Sequence, residues 1–91
     1  MSFNELQAIF DTHNRIKFKL YSLEYIIEKK DNYVEAYAID YSTRKNQYNS
    51  FKEAMNNFKV YNEPLISQLD RITIIEQGED NGIIWWFVWK R

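Results

Sequence analysis

His13 is the chain's one histidine, and to act as a general base or metal ligand it needs a partner on its own face. Asp11 is the nearest candidate. Two residues apart on a helix, their side chains diverge by about 200° and cannot converge on one ion. His13 is therefore expected to end an apolar stripe, or to sit as a cation near a helix C-terminus. Glu79-Asp80-Asn81, set between Gly78 and Gly82, offers oxygens in the manner of a calcium loop. An EF-hand needs about twelve residues with spaced carboxylates and a closing bidentate glutamate. Those are missing, and a solvated hairpin loop is expected instead. The absence of cysteine excludes disulfides, thiolate nucleophiles, iron–sulfur clusters and cysteine-based zinc sites. No nucleophile elbow, phosphate loop, dinucleotide fingerprint or zinc-hydrolase helix occurs, and two glycines are too few for the close backbone approaches such motifs require. The expectation is a protein without catalytic residues, cofactor or metal.

Two segments are better suited to binding. Arg15, Lys17 and Lys19 alternate along one face of a strand, and with Arg44 and Lys45 in a loop they offer cations to phosphates, with tyrosines nearby for stacking. If Arg15 and Lys19 sit opposite Glu28 and Glu24, however, the face is a mixed charge ladder, an ordinary sheet exterior. The other segment is Ile83-Ile84-Trp85-Trp86-Phe87-Val88-Trp89, seven consecutive apolar residues followed at once by Lys90-Arg91. In a strand, Ile83, Trp85, Phe87 and Trp89 face one way and Ile84, Trp86 and Val88 the other. One face can join a core. The other would expose several hundred Å² of apolar surface, the mark of an interface. Ile84, Trp86, Val88 and Trp89 are the expected interface residues, in a homodimer or against another protein. The alternative is a central strand covered on both faces.

The elements that would position these residues follow from periodicity. Ser2-Phe3-Asn4-Glu5 has capping-box spacing, and Phe3, Leu6, Phe10 and His13 carry an apolar stripe to about Asn14, which predicts a helix. From Arg15 the period drops to two. With Tyr21-Ser22 as a two-residue loop, Leu20 opposes Leu23, Phe18 opposes Tyr25 and Ile16 opposes Ile27, while Lys19 meets Glu24 and Arg15 meets Glu28, so both faces agree on one register. Neither Tyr nor Ser is favoured where a hairpin loop needs positive φ. For the next turn, a three-residue loop at Asp31-Asn32-Tyr33 pairs Ile27 with Tyr37, Tyr25 with Ile39 and Leu23 with Tyr41. The two-residue alternative sets Glu28 against Glu35, a like-charge pair. Residues 42–49 read as a polar surface loop.

A second capping box at Ser50-Phe51-Lys52-Glu53 starts another helix, with Phe51, Ala54, Met55 and Phe58 buried and Tyr61-Asn62 ending it. Pro64 then opens a short helix carrying Leu65, Ile66, Leu69 and Ile72. Runs 73–77 and 83–89 flank a glycine-bounded loop. The predicted fold is α+β: a three-stranded antiparallel meander covered by two main helices, with a short third helix and a C-terminal β-hairpin, in a single domain over 1–91.

With 91 residues there is room for one core. Twelve basic against thirteen acidic residues give a formal charge of -1, so no broad field draws nucleic acid or anionic lipid, and any binding face is local. No run approaches the ~20 apolar residues of a membrane span, and the start lacks a signal-peptide pattern, so a cytoplasmic protein without membrane contact is expected. A surplus of Asn, Lys, Ile, Tyr and Phe is what AT-rich codons encode. The Lys-rich strand, Tyr21-Ser22-Leu23-Glu24-Tyr25, the second strand, Tyr48-Asn49-Ser50-Phe51-Lys52-Glu53-Ala54 and Pro64-Leu65 together resemble small uncharacterised proteins of low-GC Gram-positive bacteria and their mobile elements, over roughly residues 3 to 72. That codon usage points to a low-GC bacterium or one of its phages as the source, and the resemblance implies the compartment and a small size. The functional expectation is a non-enzymatic interaction module, self-associating through its aromatic strand. The rival is a small RNA- or DNA-binding protein using the basic strand face.

Overall fold

A computed structural model describes residues 2–41 and 43–77. Helix α1 (Phe3–His13) opens on the full capping box: Glu5 N–H donates to Ser2 Oγ at 3.1 Å, and Ser2 N–H donates to Glu5 Oε1 at 3.4 Å. It ends where Asn14 turns left-handed at φ 61 and donates its N–H to Phe10 O. Asparagine tolerates that region better than most residues, so the chain can leave the helix directly into a strand.

Strands β1 (Arg15–Leu20) and β2 (Leu23–Lys29) pair antiparallel in the register the two faces dictate, with Ile16 opposite Ile27, Phe18 opposite Tyr25 and Lys19 opposite Glu24. The loop between them places Tyr21 at φ 60, so a tyrosine occupies the left-handed position that glycine or asparagine usually fills.

Strand β3 (Val34–Ala38) corrects the expected register by one residue. Ile27 faces Ala36, Ile26 faces Tyr37 and Glu28 faces Glu35, and Lys30 N–H closes the turn onto Tyr33 O at 2.8 Å. A one-residue slip sends every side chain to the opposite face. Val34 and Ala36 therefore enter the core, whereas Tyr37 lies on the other side of the sheet, and Ile39 and Tyr41 leave it in a 3₁₀ turn (Ile39–Tyr41). Two causes offset the like-charge pair. Ala36, with no exposed surface, lets the helices approach closely, and cations flank both carboxylates: Lys30 Nζ lies 3.4 Å from Glu28 and 3.8 Å from Glu35, and Arg15 lies 3.7 Å from Glu28.

Part of the expected surface loop is a strand. β4 (Asn46–Tyr48) pairs with β3, Val34 opposite Tyr48. Helix α2 (Phe51–Asn57) starts as expected, Glu53 N–H donating to Ser50 Oγ at 3.1 Å, but the Glu53 carboxylate takes Asn49 N–H at 2.6 Å rather than that of Ser50. Ser50→Ala leaves the Glu53 N–H without its partner and should lower stability by about 0.5–2 kcal/mol. An unchanged denaturant midpoint would remove this cap from the account of the fold.

Helix α2 also ends earlier than expected. Tyr61-Asn62 is not its terminus but the two-residue loop of a small hairpin between β5 (Lys59–Val60) and β6 (Glu63–Pro64), with φ 56 and 67 at its tip. Two successive positive φ values match the I′ loop that suits strand twist. Pro64 lends its fixed φ to the N-cap of a 3₁₀ helix (Leu65–Arg71), which leads into β7 (Thr73–Gln77).

The fold is α+β, with a five-stranded antiparallel sheet in the order β4-β3-β2-β1-β7, where three strands were expected. The pairing of β1 with β7 steps from Lys17–Glu76 to Phe18–Ile74, a bulge that leaves Ile75 as the extra residue. Helices α1 and α2 and the 3₁₀ helix cover one face. The Phe10 and Phe51 rings stack there at 4.4 Å, and Phe18 stacks on Tyr25 at 5.6 Å. Residues 83–89, the second half of the expected terminal hairpin, lie outside the described residues.

Candidate functional site

On the face of the sheet opposite the helices, the basic strand residues meet carboxylates. Arg15 lies beside Glu28, Lys17 Nζ is 3.5 Å from Glu24, and Lys45 Nζ is 3.9 Å from Glu35 and 4.9 Å from the centre of the Tyr37 ring. Lys19 is exposed on the same face. Around Glu28 and Glu35 these contacts build a continuous lattice. Tyr37 donates its hydroxyl to Glu28 Oε1 at 3.3 Å, and its pKa is raised by burial first and then by the Glu28 charge. Lys30 is held protonated to higher pH, chiefly by Glu28. Glu35 is buried to 6% exposure, and its Oε1 faces Lys30 and Lys45 without a hydrogen bond. The expected charge ladder is present, and the five cations do not form one surface, because Arg44 stands on the other side of the sheet.

There Arg44 lines an open cleft of about 380 Å³ at the ends of β2 and β3, beneath the β5–β6 hairpin. Leu23, Ala38, Phe58 and Val60 supply apolar lining, and Tyr41, Arg44, Lys59 and Tyr61 are exposed around it. The Arg44 guanidinium lies 5.9 Å from the centre of the Tyr41 ring, within reach of a cation–π contact. Tyr61 meets Tyr21 edge-on at 5.0 Å, and Tyr25 meets Phe58 edge-on at 6.1 Å. Burial raises the Tyr25 pKa, and the neighbouring Tyr61 hydroxyl adds to it.

The hairpin above the cleft is pinned by one buried amide. Gln68 Nε2 donates to Val60 O at 3.0 Å and to Glu63 O at 2.9 Å. Its Oε1 accepts from the Tyr21 hydroxyl at 3.3 Å, and that hydroxyl accepts in turn from Arg71 at 3.3 Å. Sequence reasoning missed this cluster. Its members come from the first hairpin loop, the small hairpin and the 3₁₀ helix, and no spacing rule links them.

His13 closes the last turn of α1, and Asp11 accepts a hydrogen bond from Gln7 Nε2 at 2.9 Å. Among the described residues no three His, Asp or Glu side chains gather to hold a metal ion. No helix among them is long and apolar enough to cross a membrane. The loop at Glu79-Asp80-Asn81 and the expected interface residues Ile84, Trp86, Val88 and Trp89 lie outside the described residues. No family model, curated protein or solved structure matches the chain.

Proposed function

We propose that the chain is a non-enzymatic interaction module of a low-GC bacterium or its phage, acting in the cytoplasm and associating with a second copy through Ile83–Trp89. The observation that carries this reading is the run of seven apolar residues, which as a strand is apolar on both faces. The sheet supports it. Among the described residues β7 is an edge strand, and a hairpin through residues 78–82 would set 83–89 beside it as a sixth strand, with Ile84, Trp86 and Val88 on one face. A new edge of that character invites antiparallel pairing across a two-fold axis, with Lys90-Arg91 at its end limiting further pairing. The rival reading, a nucleic-acid face on β1, is weakened by the carboxylates beside Arg15, Lys17 and Lys45.

Light scattering with circular dichroism tests the proposal. The parent chain should be a dimer at high micromolar concentration, and Trp86→Glu a folded monomer. A monomeric parent would end the proposal. Loss of fold in both Trp85→Glu and Trp86→Glu would instead favour a strand buried on two sides.

A further inference from the structure

Tyrosine is an expensive choice at the tips of both small hairpin loops. Tyr21 at φ 60 and Tyr61 at φ 56 hold a backbone region that a β-carbon disfavours and that glycine or asparagine enters readily. Their rings are nevertheless kept together at the surface, Tyr61 being 61% exposed. Tyr61 then borders a cleft whose other exposed ring, Tyr41, is 56% exposed and braced by Arg44. The charged side chains among the cleft's described lining residues, Arg44 and Lys59, are both cations. Glu24 and Asp40 line a separate hollow with Ser22, Leu23 and Ile39.

We infer that this cleft binds single-stranded nucleic acid, with Tyr41 and Tyr61 stacking on bases and Arg44 and Lys59 holding the phosphates between them. Each requirement of such a ligand is met by a different part of the cleft. Bases present flat apolar faces, which exposed tyrosine rings cover without regard to sequence. Phosphates need cations not already neutralised, and among the described residues neither Arg44 nor Lys59, beside the rings, lies against a carboxylate. A volume of about 380 Å³ suits one or two nucleotides, not a duplex. The opposite face of the sheet lacks this combination, because Arg15, Lys17 and Lys45 lie against glutamates and the Tyr37 ring is buried.

The experiment is fluorescence anisotropy with a fluorescein-labelled oligothymidylate or oligouridylate of about ten nucleotides, together with amide shift mapping on the unmodified chain. Tyr41→Ala and Tyr61→Ala should each weaken binding about tenfold. Arg44→Ala and Lys59→Ala should each flatten the dependence of log K on log salt by about 0.7. Lys17→Ala, on the other side of the sheet, should change affinity less than about twofold. All four cleft residues are exposed, and circular dichroism checks that each variant folds. The shift map needs no variant and should centre on residues 41, 44 and 58–61. No binding at high micromolar protein would overturn the inference. So would shifts centred on β1, equal loss in Lys17→Ala, or tighter binding of an acidic aromatic peptide than of either oligonucleotide. The readout is on the oligonucleotide, so a chain found to be monomeric leaves this test intact.

Discussion

Gln68→Ala should cost the fold about 3–5 kcal/mol, because it removes hydrogen bonds to two backbone carbonyls and leaves a cavity at a position with no exposed surface. A fully buried amide is tolerated only when its polar atoms are used. Here the nitrogen ties β5 to β6 and the oxygen accepts from Tyr21 across a separation of 47 residues. Loss of the amide therefore frees the hairpin that carries Lys59 and Tyr61 as well as lowering global stability. Gln68→Glu should do no better, since a carboxylate would face two carbonyl oxygens where a donor stood. Urea unfolding followed by circular dichroism measures the first effect, and weakening of the near-ultraviolet tyrosine signal the second. A loss under about 1 kcal/mol in Gln68→Ala would mean that the hairpin stands on its own packing.

Alkali should destabilise the chain. Tyr25, Tyr37 and Tyr48 are all raised above the ordinary tyrosine value of 10.0, burial being the first cause in each, followed respectively by Tyr61, Glu28 and Glu53. Lys30 is raised above 10.5, first by Glu28. All four hold protons more tightly folded than unfolded. Above the ordinary values the unfolded chain therefore binds fewer protons, and stability falls as pH rises. Their contribution is complete below about pH 10 and is lost as pH climbs through the raised values. Lys30 is exposed, so its share is the most sensitive to salt. The thermal midpoint should hold level to about pH 9 and then drop, with tyrosinate absorbance rising in step with unfolding. Tyr37→Phe removes one of the four groups and should soften the drop. A midpoint unchanged to about pH 11 would contradict the assignment.

The first hairpin was legible because two independent constraints, apolar pairing on one face and opposite charges on the other, select the same register. The second was not. A local charge argument weighed Glu28 against Glu35 alone, whereas Arg15, Lys30 and Lys45 reach them from a neighbouring strand, a turn and a loop. Small residues hid the core face as well, since Ala36 and Ala38 carry little apolar signal beside Tyr37 and Ile39. Asn46-Gln47-Tyr48 has weak strand propensity, and its pairing comes from β3 rather than from its own side chains. Pro64 marked a helix start correctly while concealing that it also ends a strand. The cleft draws on β2, β3, the segment around Tyr41 and Arg44, and the small hairpin, so no window of sequence contains it.

Among the described residues the short strand β4 is the other edge of the sheet, and it would limit how many copies could join. It is three residues long, next to Lys45, and Asn46 Nδ2 donates back to Ala36 O at 3.3 Å. A passing molecule finds little template there. Ordered fibre growth through sheet edges requires every molecule to stick at both ends. One blunt end would terminate the series, so the pairing proposed above, through the opposite edge, would close at two copies. Concentrated solutions should stay clear where a sheet with two long bare edges would gel.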